Sequence, residues 1–104
     1  SQISVTKDHQ IIICEGNYLI AFDDPNWEPL RRHWDDRWFI DVPETELKER
    51  LVKRHLKNWT SSKISLFGEG RKGAELKAES SDLKNARWVY QTSRVHANVI
   101  ITYE

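Results

Sequence analysis

Apolar positions along this chain change their period several times, and each change predicts an element. Ile11-Ile12-Ile13-Cys14 is a continuous apolar run, the pattern of a strand buried on both faces, and it drives straight into Glu15 and Gly16. Trp27, Leu30 and Trp34 recur at helical spacing behind Pro25, which predicts a short helix over residues 26–35. Trp38-Phe39-Ile40-Asp41-Val42 reads as a second strand that Pro43 stops. A long helix runs from there to about Trp59, acidic at its start (Glu44, Glu46) and basic at its end (Lys53, Arg54, Lys57), as the helix dipole prefers.

Serines, lysines and three glycines over residues 60–73 predict a mobile loop, with residues 63–67 as a candidate strand inside it. Residues 74–90 read as a helix with Leu83, Ala86, Val89 and Tyr90 on one face, and residues 98–103 as a last strand. Strands alternating with helices predict an α/β fold, a parallel sheet flanked by helices, over a single domain spanning residues 1–104. Three strands and three helices bury only a modest core, so this sheet is expected to be partial. Five tryptophans are many for 104 residues; they either build the domain's own core or leave some rings facing a neighbour.

Composition narrows the partners. Sixteen basic side chains balance sixteen acidic ones, which gives no global pull toward nucleic acid or an anionic membrane. Nothing approaches the ~18 apolar residues of a membrane span, and no basic-then-apolar export signal is seen, so a cytoplasmic protein is expected. The single cysteine, Cys14, excludes an internal disulfide and a thiolate set for zinc, in keeping with a reducing compartment. The sequon Asn58-Trp59-Thr60 has no export signal to give it meaning.

Candidate chemistry lies in three places. Glu15 at the carboxyl end of a strand is well placed to hold a divalent cation on nucleotide phosphates, because Mg²⁺ prefers oxygen ligands and keeps several waters. The local sequence equally allows a hairpin, with residues 11–14 pairing to residues 18–22 and Glu15 exposed at its tip. On the long helix, Leu47, Leu51, His55, Trp59, Val52 and Leu56 fill one arc, and Arg50, Arg54 and Lys57 form a cationic stripe beside it. Two arginines one turn apart suit phosphate oxygens, although a solvated face laced by Glu46-Arg50 pairs explains the same spacing. His55 reads as an edge-of-core histidine.

Gly68-Glu69-Gly70-Arg71-Lys72-Gly73 matches G-x-G-x-x-G, the remote alternative of a dinucleotide-binding domain. A true site needs a following strand and an acid about twenty residues on, whereas Asp82 comes too soon and inside a predicted helix. Ala74-Glu75 stands where a P-loop requires Lys and Ser/Thr, so a basic loop is the plainer reading. His33, Asp35 and Asp36 fall on different faces and do not make a metal site.

Taken in order, Ile12 to Leu19, Trp27-Glu28-Pro29-Leu30, Trp38-Phe39-Ile40-Asp41-Val42-Pro43, Arg50-Leu51-Val52-Lys53-Arg54-His55-Leu56 and Ser81-Asp82-Leu83-Lys84-Asn85-Ala86-Arg87 with Val99-Ile100 resemble the carboxyl-terminal half of a uridine kinase/phosphoribulokinase-type P-loop kinase, closest to fungal members. The likeness runs from Ile11 to Ile101. It implies a truncated P-loop NTPase, nucleoside-kinase-like fold, with Glu15 helping to hold Mg²⁺ and Arg50 and Arg54 as lid arginines over ATP phosphates. Lys57, Asp82 and Asn85 join them as implied nucleotide-binding residues, and residues 60–73 become the lid loop. Two departures stand out: Ser81 replaces the asparagine usual before the aspartate, and the stretch between His55 and Ser81 is longer than in most relatives.

The resemblance also implies what these 104 residues do not contain, namely the G-x-x-x-x-G-K-[ST] loop and catalytic aspartate of the amino-terminal half. Phosphoryl transfer is mostly positioning and electrostatic stabilisation, so no kinase turnover is expected from this polypeptide alone. With the missing half supplied, the expected reaction moves the γ-phosphoryl of ATP to a hydroxyl of a nucleoside, sugar or vitamin-like small molecule. The alternative is a non-catalytic α/β module that binds a partner protein through the surface the lost half once covered; a homo-oligomer is also open. The two differ on the exposed side of the sheet, which should stay apolar and tend to dimerise or aggregate in the first case, and be repaired with polar residues or covered by a defined partner in the second.

Overall fold

A computed structural model of the chain describes residues 3–103. Its regular elements run as a 3-10 helix (Glu28–His33), β1 (Trp38–Asp41), α1 (Glu44–Lys57), α2 (Ser61–Phe67), α3 (Gly70–Lys77), a π-wound segment (Ala78–Asp82), α4 (Leu83–Ser93), a 3-10 turn (Arg94–His96) and β2 (Val99–Thr102). The architecture is α/β, as the alternation of strand and helix patterns predicts. α3, the π-wound segment and α4 succeed one another without a break, so the helix expected over 74–90 begins earlier and ends later.

β1 and β2 pair in parallel, with Trp38 opposite Val99, Phe39 opposite Ile100, Ile40 opposite Ile101 and Asp41 opposite Thr102. Register partners point to the same side of a sheet, so Phe39, Ile100, Asp41 and Thr102 share one face. The helical layer packs on the β1 part of that face, where Tyr90 of α4 meets Phe39 edge-on at 6.0 Å between ring centroids and Arg94 Nε donates to Asp41 Oδ2 at 2.8 Å, while Ile100 of β2 stays 38% exposed. The opposite face carries Trp38, Ile40, Val99 and Ile101, with 60%, 66%, 38% and 39% of their surfaces exposed. Parallel sheets are ordinarily covered on both sides, and this one is bare on one.

The apolar run at residues 11–14 is not a strand. The segment lies outside the ladder, Ile11, Ile12 and Ile13 are exposed, and Glu15 therefore does not stand at a strand's carboxyl end. A strand of continuous apolar residues is stable only when both faces are covered, and no described element covers these side chains. Among the described residues the expected three-stranded sheet thus has two strands. The hairpin alternative does not form either, because residues 17–27 instead make a series of turns.

Residues 60–73 also differ from the expected loop, since most of them are helical. Thr60 caps α2 by accepting the backbone N–H of Lys63 at 3.4 Å, and residues 63–67 lie in that helix rather than in a strand. The glycines that suggest a loop make the corner between α2 and α3. Gly68 has φ +104° and Gly70 φ +60°, values that L side chains rarely adopt. Gly73 packs against this corner so tightly that a Cβ would collide with the Gly68 carbonyl and lie 2.9 Å from Trp59 Cζ2. The G-x-G-x-x-G match is thereby explained as a helix corner: a helix, α2, leads into it where a dinucleotide site needs a strand.

The core centres on Val52, Ala74 and Ala78, fully buried, with Leu51 and Trp59 packed against them. Trp59 Nε1 donates to the Gly68 carbonyl at 3.0 Å. Trp34 Nε1 donates to the Leu19 carbonyl at 2.7 Å, and Tyr18 packs between Trp27 and Trp88 at 5.3 and 5.7 Å. Four of the five tryptophans therefore serve the domain's own packing, and Trp38 faces outward.

Candidate functional site on the cationic face of the first long helix

α1 begins after Pro43, whose fixed φ suits a helix start, and its acidic first turn and basic last turn oppose the backbone dipole at each end. Val52 and His55 turn inward and are buried, while Arg50, Arg54 and Lys57 are exposed beside them. The structure thus keeps these three cations on one side of the helix, four and three residues apart.

Their states differ. Arg50 Nε donates to Glu46 Oε1 at 3.0 Å, and its guanidinium lies 4.8 Å from the Tyr103 ring centroid. The bond to Glu46 first, and Tyr103 second, hold its pKa above the usual arginine value. Arg54 and Lys57 have no carboxylate within ion-pair distance among the described residues, so their charge is open to an outside anion. Arg71 is paired with Glu49 and Glu75, Arg87 with Glu44, and Arg94 with Asp41, whereas Arg32 and Arg37, like Arg54, are in no ion pair among the described residues.

Asp82 and Asn85 sit one turn apart at the start of α4, and both side chains are already engaged. His55 Nε2 donates to Asp82 Oδ2 at 2.5 Å, and Lys77 Nζ lies 3.7 Å from Asp82 Oδ1. Tyr18 Oη donates to Asn85 Oδ1 at 2.9 Å. Ser81, at the position where the kinase pattern has asparagine, turns its hydroxyl back to the Lys77 carbonyl at 3.1 Å. Asp82 is therefore tied to α1, the helix of the cationic stripe. Asn85 is tied to the turn just after Glu15.

Glu15 is exposed, and no cluster of three or more His, Cys, Asp or Glu side chains among the described residues is placed to hold a metal. A lone carboxylate suits Mg²⁺ only when phosphates and water supply the other oxygens. Between α1 and α4 lies an open groove of about 270 Å³, rimmed by Glu44 and Arg87. Their bidentate pair, at 2.6 and 3.1 Å, satisfies both charges, which leaves Tyr90 and Gln91 as the other polar side chains of its lining. No helix among the described residues is long and apolar enough to cross a membrane.

Sequence reasoning places the stripe but misses the His55–Asp82 and Tyr18–Asn85 ties. Both join residues far apart in the chain, and nothing in local spacing announces them. The α2 helix is legible in principle, since Thr60 ahead of Ser61-Ser62-Lys63 is a capping pattern and Ile64 and Phe67 are three apart.

Two curated relatives match the chain. One is the ATP-dependent kinase YFH7 of Vanderwaltozyma polyspora, 33% identical over 96 residues, which cover 88% of this chain and 24% of that protein. The other is the ATP-dependent kinase-like protein notR' of Aspergillus versicolor, 33% identical over 54 residues, covering 52% of this chain and 31% of that protein. No family model matches, and no solved structure matches. The chain spans about a quarter to a third of the length of these relatives, and through them it is related to ATP-dependent kinase-like proteins.

Proposed function

We propose that this chain is the lid-bearing, carboxyl-terminal portion of a uridine kinase/phosphoribulokinase-type P-loop kinase. The whole enzyme would transfer the γ-phosphoryl of ATP to a hydroxyl of a nucleoside, sugar or vitamin-like molecule. The observation that carries this reading is the bare sheet face of Trp38, Ile40, Val99 and Ile101, which parallel pairing leaves needing a second layer. A match to only part of a longer kinase supplies a reason for the missing layer. The alternative, an interaction module that has given up catalysis, calls for polar residues or a defined partner on that face; the four that line it are apolar, so this alternative would need the partner.

The residues present fit the nucleotide in part. Arg54 and Lys57 carry unneutralised charge on an exposed face and would hold phosphate oxygens, with Arg50 joining after exchanging Glu46 for the ligand. Glu15 would contribute one oxygen, directly or through water, to the Mg²⁺ that accompanies ATP. When bound, that ion would neutralise phosphate charge. The chain's own cations would add to this electrostatic stabilisation, and residues 60–73 would act as the lid that excludes water. The 104 residues contain no G-x-x-x-x-G-K-[ST] loop, so the polypeptide alone is expected to give no turnover.

The intact mass of the native product in its source, with sequencing upstream of Ser1, tests the reading. A longer product that carries a P-loop and turns over ATP with a small hydroxyl acceptor supports it. A native product near 12.3 kDa that binds no nucleotide overturns it and directs the search to a protein partner.

A further inference from the structure

Asp82 and Asn85 lie three residues apart at the start of α4 yet reach in different directions, one to His55 in α1 and the other to Tyr18 in the turn after Glu15. The π-wound segment Ala78–Asp82 makes the first reach possible. An extra residue in the helical register rotates the downstream turns by about 100°, which lets Asp82 face α1 while Ala78 and Leu83 stay buried. His55 is buried and directly adjoins Arg54. Fixing its ring therefore fixes the rotation of α1 about its own axis, and with it the direction in which Arg54 and Lys57 project. Tyr18 is held twice by α4, through its hydroxyl on Asn85 and through its ring on Trp88, one turn further on.

A direct ligand role fits Asp82 poorly. One of its oxygens is bonded to His55 and the other faces Lys77, and a carboxylate repels phosphate. We propose that Asp82 and Asn85 are positioning residues, acting through His55 and Tyr18, and that the first turn of α4 is the junction holding the cationic stripe and the Glu15 turn in a fixed relation. The role deepens the kinase reading and rests on it for what the stripe and Glu15 are held to do; the two ties themselves do not depend on that reading.

Amide hydrogen exchange of the 104-residue chain, read residue by residue, tests the junction with variants that conserve size. Asp82→Asn and His55→Gln should each speed exchange over residues 50–57 about tenfold, and the pair together no more than either alone. Asn85→Ala and Tyr18→Phe should act on residues 17–22 and leave 50–57 unchanged. Imidazole nitrogen spectra of the unsubstituted protein provide a reading without mutation: a hydrogen-bonded proton on Nε2 of His55 is expected, and a bare Nε2 overturns the proposal. Additive effects of Asp82→Asn and His55→Gln overturn it as well. In Mg-ATP titrations of the longest product of the gene, Asp82→Asn should weaken binding when His55 is present and cause no further loss in His55→Gln. An equal loss in both backgrounds makes Asp82 a ligand and sinks the proposal. Absence of Mg-ATP binding by the unsubstituted product, with the exchange pattern intact, removes the kinase reading and leaves the junction standing.

Discussion

His55 Nε2 and Asp82 Oδ2 are 2.5 Å apart, which bolts α1 to the end of the π-wound segment across a separation of 27 residues in the chain. His55 is 8% exposed, so water cannot readily replace the carboxylate if it is lost. Asp82→Ala should lower stability by about 1 to 3 kcal/mol, the cost of leaving a buried donor unpaired. His55→Leu with Asp82→Leu should cost less than the sum of the single changes, because it removes both polar groups together. Urea denaturation checks both, with the midpoint falling and the slope unchanged.

The corner between α2 and α3 makes a graded prediction. Gly73→Ala puts a methyl group into the Gly68 carbonyl and against Trp59, with no flexible neighbour to yield at the backbone, and should cost about 1 to 3 kcal/mol. Gly70→Ala meets nothing within 4 Å and suffers only its backbone conformation, φ +60°, so about 1 kcal/mol is expected. Thermal unfolding of the two variants should rank them in that order. Loss of the Trp59 fluorescence environment should accompany Gly73→Ala alone.

How much of this is legible in the sequence depends on how local the cause is. α1 is plain because its period, its proline entry and its charge gradient all lie within residues 43–59. β1 and β2 are found because Trp38-Phe39-Ile40-Asp41 and Val99-Ile100-Ile101 have strand composition at both ends of a helical stretch. The run at residues 11–14 misleads for the complementary reason: its pattern reports a strand that needs neighbours, and pattern alone cannot say whether they are present. Glycines at 68, 70 and 73 suggest a loop, whereas positive φ at two of them and close contact at the third serve a tight helix corner. Of the candidate site residues, the stripe comes from helical spacing, while the engagements of Asp82 and Asn85 come from tertiary packing.

Acid should weaken the α1 surface in a defined direction. The bonds from Arg87 to Glu44 and from Arg71 to Glu49 hold both carboxyls below their ordinary values in the folded chain. A folded pKa below the unfolded one gives stability that is present above the ordinary value, about 4.3, and is lost as pH falls through the depressed folded values. Glu44→Gln with Glu49→Gln should therefore flatten the fall of the urea midpoint below that pH. Both pairs are solvent-exposed, so salt should reduce the difference.

Arg50 and Arg54 should separate in their effects although they are one turn apart. Arg54 has no carboxylate partner among the described residues and is exposed, so Arg54→Ala should change stability by no more than about 0.5 kcal/mol. On the kinase reading proposed above, the same change in a longer product should lower phosphate-dependent nucleotide affinity by about tenfold, one charge-assisted contact. Arg50→Ala releases Glu46 as well, leaving an acid where a phosphate would approach, and should weaken nucleotide binding at least as much. Arg50→Ala with Glu46→Gln should recover part of that loss. Titration with Mg-ATP at two salt concentrations decides, since a phosphate contact weakens with salt and a structural change does not.

The bare sheet face sets the behaviour of the isolated chain. Trp38 and Ile40 are two residues apart on β1 and face the same way as Val99 and Ile101 on β2, which makes one contiguous apolar surface beside the two open edges of a parallel pair. Such a surface favours association with another copy when no second layer covers it. The 104-residue chain should therefore self-associate at micromolar concentration, and Ile40→Lys should shift it toward monomer. Because Ile40 is 66% exposed, that substitution should leave the unfolding midpoint of the monomer within about 0.5 kcal/mol of its original stability. Sedimentation velocity at several concentrations checks the association, and urea unfolding in dilute solution checks the monomer. A chain that stays monomeric with this face intact would show that the four side chains are tolerated in water, and the bare face would then no longer call for a missing layer.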